Sequence, residues 1–246
     1  MKKFNFNCNA FTLAEVLITL GIIGVVAAMT IPSLMQQNQK LSGYSGLKKE
    51  YSALAQATTR IVNDNGGILS WSNSTDMMNS YLPYLKYSST STMGNIFNYT
   101  LMAYDSRTGT INIPAGTGVT ADPWWIAYFM SPSTPALAMN DGSIIGFNVN
   151  VPNCADYGGS WGGASSGPFY CGFMYLDVNG AKPPNRIGVD FYFITVTKDS
   201  AGIRFASPTG MLCGYQGGGY GWWQGGMACT EYVMQNKDLP STGYTP

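Results

Sequence analysis

Thirteen carboxylates and five cysteines are the side chains of this 246-residue chain best suited to acid–base, nucleophilic or metal chemistry, and the chain contains no histidine. Without histidine there can be no Ser-His-Asp or Cys-His nucleophile arrangement, no histidine metal ligand and no acid–base group of the usual neutral-pH kind. The carboxylates are scattered, and none stands out as a pair that could hydrolyse a glycoside. We therefore expect no enzymatic activity, and a secreted enzyme with an ordinary signal peptide is the least favoured hypothesis.

The charge content of the chain also narrows the choice of partners. Charged residues make up 11% of the chain, against roughly 25% in ordinary soluble domains. The 13 basic and 13 acidic residues cancel, and there is no long basic run of the kind that binds nucleic acid. Nucleic acid is therefore disfavoured as a partner, and the length predicts one large domain or one domain with an appendage.

One carboxylate, Glu15, lies in an unusual place. Residues 11–31 are apolar apart from this glutamate, and as a helix they would be ~31 Å long, which matches a hydrocarbon core of about 30 Å. An ionised glutamate in a bilayer costs at least ~2 to 3 kcal/mol unless it is neutralised. The sequence therefore predicts a membrane-spanning helix in which Glu15 needs a partner.

The residues around this segment indicate its orientation. Lys2 and Lys3 precede it and no strong basic cluster follows directly, which favours a cytoplasmic N-terminus with the rest of the chain outside. A secretory signal peptide is the alternative, because residues 26–28 are small enough for a signal peptidase. The apolar run is longer than the roughly 7 to 15 residues of a signal core, however, and it carries Glu15.

The run Ala10-Phe11-Thr12-Leu13-Ala14-Glu15-Val16-Leu17-Ile18 resembles the class-III leader and helix of the type IV pilin-like proteins, which include pilins and the pseudopilins of type II secretion. The resemblance implies that a prepilin peptidase cuts between Ala10 and Phe11 and methylates Phe11. Glu15 would be the fifth residue of the mature chain and pair with the free amine of a neighbouring subunit during fibre assembly. The family usually has glycine where this chain has Ala10.

The same resemblance implies a structural subunit of a type IV pilus or type II secretion pseudopilus. Such a subunit is a single-pass protein of the bacterial inner membrane with its head in the periplasm or outside, and an extracellular fibre if assembled. Its partners would be the prepilin peptidase and copies of itself or other pilins and pseudopilins. The alternative is a membrane-tethered adhesin or minor pilin whose aromatic residues at 124–125 and 222–223 bind a glycan or a surface; packing within loops would also explain these residues.

Beyond Pro32, which could loosen the helix locally, apolar residues follow a helical spacing. This apolar stripe predicts an amphipathic helix over residues 33–62, ended by glycine at 66–67, and the helix could bend near Gly43 and Gly46. The stripe could pack against other subunits or against this protein's own head. Its members are Leu41, Tyr44, Leu47, Tyr51, Leu54, Thr58 and Ile61.

The predicted fold class is α+β, with the long N-terminal helix packed on an antiparallel sheet. The predicted boundaries are a leader at 1–10, the helix at 11–66 and a globular head at 67–246. Within the head we expect a short helix at 75–82, a Ser/Thr-rich loop at 88–92 and an antiparallel strand pair at 173–178 and 189–197. Further strands are expected at 98–104, 110–113, 124–130 and 143–151.

The cysteines indicate an oxidising compartment. Cleavage after Ala10 removes Cys8 and leaves an even number, which allows three disulfide pairings. We favour Cys154 with Cys171 and Cys213 with Cys229, because each pair closes a short loop with little core of its own. A zinc site is disfavoured, since there is no Cys-x-x-Cys pair and no histidine.

A candidate calcium site follows from a second resemblance. Residues 177–191 look like a stretch of pseudopilin-like heads, and a nearby loop binds calcium in the major pseudopilins. Asp177, Asn179 and Asp190 could supply three of the oxygen ligands that calcium prefers. The alternative is a turn between two strands, because Asn-Gly favours positive φ and Asp caps backbone amides.

Overall fold

The fold is taken from a computed structural model of the full chain. It describes residues 12–66, 71–96, 100–105, 109–114, 131–149, 151–154, 169–183, 185–199, 202–206 and 229–235. The chain forms two compact units, Met1–Gln39 and Lys40–Pro246. The second is called the head unit below.

Helix α1 is a continuous element of 52 residues, Leu13–Asp64. It passes through Pro32 without interruption, so the local loosening that the sequence suggested is not seen. A proline removes one backbone hydrogen bond, and the helical bonds on either side are enough to hold the element together. The helix ends as expected, because Gly66 adopts φ +67° and its N–H donates to the Asn63 carbonyl at 3.2 Å.

The first half of α1 presents apolar side chains to the outside in every direction. Ile18, Ile22 and Ile23 are about 60% exposed, at 62%, 60% and 62%, and the most apolar 18-residue window of α1 is 0% buried. The helix is long and apolar enough to cross a membrane. The exposed apolar residues are Leu13, Val16, Leu17, Ile18, Leu20, Ile22, Ile23, Val25, Val26, Met29, Ile31, Leu34 and Met35.

The head unit is built around a six-stranded antiparallel sheet with strand order β1-β4-β5-β6-β7-β8. These strands are β1 (Tyr87–Thr92), β4 (Pro135–Met139), β5 (Ile144–Val149), β6 (Phe169–Asp177), β7 (Phe191–Asp199) and β8 (Gly202–Ala206). A separate hairpin pairs β2 (Thr100–Asp105) with β3 (Gly109–Pro114). The other helices are α2 (Ser74–Tyr81), continued by a 3-10 turn at Leu82–Tyr84, then α3 (Met93–Ile96) and α4 (Cys229–Met234), and a second 3-10 turn covers Pro152–Cys154.

The α+β prediction is confirmed, and so is the central strand pair. β6 and β7 are antiparallel, with Tyr175 opposite Phe193. The loop predicted at 88–92 is wrong, because these residues form the edge strand β1 paired with β4. Strands β4 and β8 and helix α4 were not predicted, and the strand expected at 124–130 lies outside the described residues.

The apolar stripe of α1 packs on the protein's own sheet. Leu47, Leu54 and Ile61 are 0–1% exposed and belong to one core cluster with residues of β4, β5, β6 and β7. The sheet contributes Leu137, Met139, Ile145, Phe147, Met174, Leu176, Tyr192, Ile194 and Val196. Of the two interpretations left open by the sequence, packing against the head is therefore the one observed, although Leu41 at the start of the stripe is 57% exposed.

Candidate functional site

The most chemically distinctive residue, Glu15, closes a hydrogen-bonded ring at the start of α1. Thr12 precedes the first helical residue, and its backbone N–H and hydroxyl donate to Glu15 Oε2 at 2.8 and 2.9 Å. The Glu15 N–H donates back to Thr12 Oγ1 at 3.3 Å. This reciprocal arrangement is a capping box; the Thr-x-x-Glu pattern at 12–15 is the sequence signal for it, and the predictions above did not use that signal.

The capping box fixes where the Glu15 carboxylate lies. It satisfies one of the backbone N–H groups that a helix leaves unpaired at its start, where the helix dipole also favours a negative charge. Both bonds donated by Thr12 go to Oε2, so Oε1 remains available to an additional donor. The predicted cleavage residues Ala10 and Phe11 lie outside the described residues.

A comparison with known families finds a match in this segment. Residues 5–31 match the family model described as the prokaryotic N-terminal methylation motif. The chain carries the class-III leader of type IV pilins and pseudopilins. No curated protein and no solved structure matches the chain significantly.

The pilin leader and the exposed apolar helix agree with each other. The matched residues include the whole of the predicted membrane segment together with part of its leader, and the leader motif implies processing by a prepilin peptidase and pilin assembly in general. The motif and the helix together fit membrane anchoring. Proteins with this motif form a family of structural subunits.

One predicted disulfide is present in the head unit. Cys154 and Cys171 are bonded, with their Cα atoms 4.6 Å apart. The bond joins the 3-10 turn after β5 to strand β6, and the same region is held by a backbone bond from Val151 N–H to the Cys171 carbonyl at 3.1 Å. Cys213 lies outside the described residues and Cys229 begins α4, so their pairing stays a prediction.

The three candidate calcium ligands lie together where β6 ends and in the segment between β6 and β7, called the β6–β7 loop (residues 178–190) below. Asp177 is the last residue of β6, and Asn179 and Asp190 belong to the loop. The backbone N–H of Asn179 donates to Asp177 Oδ1 at 3.1 Å, and its side-chain Nδ2 donates to Asp190 Oδ2 at 3.2 Å. Asp190 also accepts the backbone N–H groups of Asn185 and Arg186 at 2.8 and 2.5 Å. Asp190 therefore accepts hydrogen bonds from three residues of the loop and holds them together.

These contacts favour the turn interpretation of the loop. Both Asp190 oxygens face N–H donors, although burial raises the pKa of this carboxyl to about 6 against the effect of those donors. Asn179 Oδ1 is buried without a hydrogen-bond partner, and the described part of the chain holds no group of three or more Asp, Glu or Cys side chains suited to a metal. Calcium binding stays a prediction, and an increase in the unfolding temperature with calcium but not magnesium would support it.

The β6–β7 loop packs directly on the backbone of α1 at two glycines. A Cβ atom on Gly43 would lie 1.8 Å from the Val189 carbonyl oxygen, and one on Gly46 would lie 2.9 Å from Val178 Cβ. The Tyr192 hydroxyl donates to the same Val189 carbonyl at 2.5 Å. These glycines, which the sequence suggested as a weak point of the helix, are therefore the place where the loop can approach it.

A charged cluster links α1 to the turn between β4 and β5. Lys49 Nζ lies 3.1 Å from Glu50 Oε1 and also contacts the Asp141 carboxylate, while Glu50 is only 4% exposed. Burial raises the pKa of Glu50, and its hydrogen bond with Asp141 raises it further. Against the effect of burial, hydrogen bonds from Lys49 and Ser143 hold the pKa of Asp141 well below its usual range.

Proposed function

We propose that this chain is a prepilin, cut between Ala10 and Phe11 and methylated at Phe11. The mature protein is held in the bacterial inner membrane by residues 11–31, with its head unit in the periplasm or outside. It then assembles through α1 into a type IV pilus or a type II secretion pseudopilus, as an extracellular fibre in the former case. Its partners are the prepilin peptidase and copies of itself or other pilins and pseudopilins, and its work is structural rather than enzymatic.

The observation that supports this proposal is the coincidence of the methylation motif with an unburied apolar helix. The motif covers residues 5–31, and exposed apolar side chains extend on α1 from Leu13 to Met35. A soluble protein would bury so much contiguous apolar surface. A bilayer covers it before assembly, and packing against the helices of other subunits covers it in a fibre.

Glu15 is the residue through which we expect subunits to recognise one another. Its carboxylate is costly in an apolar environment, and the capping box leaves Oε1 available to a cation. The free amine of a mature neighbouring subunit, created when the leader is removed, would supply that charge. Recruitment and axial register would then depend on the same ion pair.

The proposal is tested by the N-terminus of the mature protein. Mass spectrometry of membrane fractions should find a chain that begins at methylated Phe11, and this species should disappear in cells that lack the prepilin peptidase. A mature chain that begins near Met29 would instead identify a secreted protein with an ordinary signal peptide. The adhesin alternative rests on Trp124, Trp125, Trp222 and Trp223, which lie outside the described residues.

A further inference from the structure

Two carboxylates share a single ammonium group where α1 meets the turn between β4 and β5 (residues 140–143, the β4–β5 turn below). Lys49 Nζ lies 3.1 Å from Glu50 Oε1 and also contacts Asp141 Oδ2. Because both carboxylates are within hydrogen-bonding distance of the same nitrogen, these two oxygens are less than about 7 Å apart. With both carboxylates ionised, the three residues carry a net charge of about −1.

The three groups differ in their access to water. Glu50 is only 4% exposed, whereas the side chains of Lys49 and Asp141 are 63% and 36% exposed. A carboxylate that has lost its water is costly unless other groups neutralise it. Glu50 is therefore the member of the cluster that gains most from taking up a proton.

The β4–β5 turn holds Asp141 as an acceptor. Its Oδ1 accepts the backbone N–H and the hydroxyl of Ser143 at 3.0 and 2.8 Å, and its Oδ2 faces Lys49. The turn is closed by a backbone bond from Gly142 N–H to the Met139 carbonyl at 3.1 Å. Donors on both oxygens favour the ionised form of Asp141, so a proton that enters the cluster goes to Glu50.

Other charged residues border the turn without joining the cluster. Lys86 accepts the Asn140 N–H with its backbone carbonyl at 3.2 Å, and Asp177 pairs with Ile144 where β6 ends. Lys48, the neighbour of Lys49 on α1, is exposed. The charges that act on Glu50 are those of Asp141 and Lys49.

We propose that this cluster is a pH-sensitive link, which holds the β4–β5 turn more firmly to α1 in mild acid than at neutral pH. When Glu50 takes up a proton, its O–H donates to the Asp141 carboxylate and Lys49 has one negative charge to pair. When the proton leaves, the two carboxylates repel each other across the contact. The inference goes beyond the proposed function, because it concerns the head unit and requires no assembly.

The direction of the effect follows from the two carboxyl groups. Burial, and then the hydrogen bond with Asp141, raise the pKa of Glu50 above its ordinary 4.5, so its contribution to the link is complete below pH ~4.5 and is lost as the pH rises through the folded value. Against the effect of burial, hydrogen bonds lower the pKa of Asp141 from its ordinary 3.8. The contribution of Asp141 is therefore retained at pH ~4.5 and lost only in stronger acid.

Hydrogen–deuterium exchange of the full chain in detergent, read by mass spectrometry at single amides, measures how often the turn opens. Protection is corrected for the intrinsic exchange rate at each pH and divided by that of Cys154, whose N–H donates to the Val151 carbonyl away from the cluster. We expect the relative protection of Gly142 and Ser143 to be about fourfold higher at pH ~4.5 than at pH ~7.5. Two like charges about 5 Å apart in the dielectric of water repel with a corresponding energy.

Two variants test whether the carboxyl pair causes the difference. Glu50→Gln resembles the protonated acid, because its amide can donate to Asp141, and should give high relative protection at both pH values. Asp141→Asn keeps an oxygen that can accept from Ser143 and removes the repulsion, so the gain in acid should disappear. Glu231→Gln on α4 is the matched control and should keep the fourfold difference.

Equal relative protection at the two pH values in the unaltered protein would overturn the inference. It would equally be overturned if the difference persisted in Glu50→Gln, because another group would then be titrating. If Glu50→Gln fails to fold, Asp141→Asn decides alone, and an unchanged fourfold difference in that variant would contradict the link.

Discussion

At the scale of single residues, Glu15 has two separable properties, its charge and its place in the capping box. Glutamine can replace glutamate in a capping box, but it carries no charge, while alanine provides neither property. If the charge recruits a neighbouring subunit, Glu15→Gln and Glu15→Ala should both insert into the membrane and both fail to assemble. Sheared-fibre fractions measured by immunoblot would show the loss.

The matched control for these variants is Glu231→Ala, which removes a carboxylate from α4 of the head unit. It should assemble like the unaltered protein. If Glu15→Gln assembles normally and Glu15→Ala does not, the capping box and not the charge is what assembly requires. That result would contradict the role that we assign to Glu15.

A second prediction at the residue scale concerns Glu50, the buried carboxylate beside Lys49 and Asp141. The folded pKa of Glu50 is raised above its ordinary value of 4.5, with burial as the first cause. Its contribution to stability is therefore complete below pH ~4.5 and lost as the pH rises through the folded value. The opposite shift of the Asp141 pKa contributes stability above pH ~3.8 that is lost in acid.

Glu50→Gln keeps the shape of the side chain and removes the charge. Its unfolding temperature should exceed that of the unaltered protein at neutral pH, and the difference should shrink as the pH falls towards 4.5. Calorimetry or circular dichroism at several pH values gives both curves. A variant that is less stable at neutral pH would mean that the ionised carboxylate is needed by Lys49.

At the scale of elements, the junction between α1 and the β6–β7 loop depends on the missing side chain of Gly43. A Cβ atom there would meet a backbone carbonyl oxygen at 1.8 Å, which cannot move aside as a flexible side chain could. Gly43→Ala should destabilise the head unit by about 1 to 3 kcal/mol from overpacking, reduced by up to ~1 kcal/mol of gained helix propensity. Denaturant unfolding measures the net change.

The control for Gly43→Ala is Ser45→Ala, two residues away on an exposed position of the same helix. It should be within about 0.5 kcal/mol of the unaltered protein. A Gly43→Ala variant as stable as this control would show that the loop does not press on the helix. The close approach would then have no energetic consequence.

The disulfide between the 3-10 turn and β6 is the other link between elements. Its cysteines are 17 residues apart, and closing a loop of about this length is worth about 3 kcal/mol in the chain-entropy model. Replacing both with alanine, Cys154→Ala with Cys171→Ala, should lower the free energy of unfolding by about that amount under oxidising conditions. With a reductant present, the unaltered protein should lose at least that amount, because the predicted Cys213–Cys229 bond would be reduced as well.

Peptide mapping without reduction provides the check on the connectivity. It should recover a peptide pair joined through Cys154 and Cys171, and the predicted pair through Cys213 and Cys229. Recovery of Cys154 joined to Cys213 or Cys229 would contradict the structure. A fifth thiol, Cys8, should be found only in uncleaved precursor.

At the scale of the whole molecule, the net charge and the number of cysteines would differ between the precursor and the mature chain. Cleavage after Ala10 would remove Lys2 and Lys3, which leaves eleven basic residues against thirteen acidic ones. The precursor is formally neutral, and the mature chain would carry a side-chain charge of about −2.

The sequence by itself determined the properties that depend on local order along the chain. The apolar run was enough to predict a helix that could span a membrane, because lipid requires about twenty consecutive apolar residues. The leader was predicted from the resemblance of residues 10–18 to the type IV pilin-like proteins. The alternating aromatic residues at 189–197 predicted β7, because alternation with a period of two residues indicates a strand. Short loops between cysteines favoured the Cys154–Cys171 pair, which the structure confirms.

Other features could be decided only by the tertiary structure, because they depend on which distant part of the chain pairs with or packs against a residue. The Ser/Thr run at 88–92 became a strand because β4 supplies its hydrogen-bond partners, and the Ala-containing strand β4 exists because β1 and β5 flank it. Gly43 contacts the β6–β7 loop because the Val189 carbonyl oxygen lies where a side chain on this residue would be. The charged cluster of Lys49, Glu50 and Asp141 likewise joins α1 to a turn far along the chain, and sequence separation hides such a cluster because charges interact through space and not along the chain.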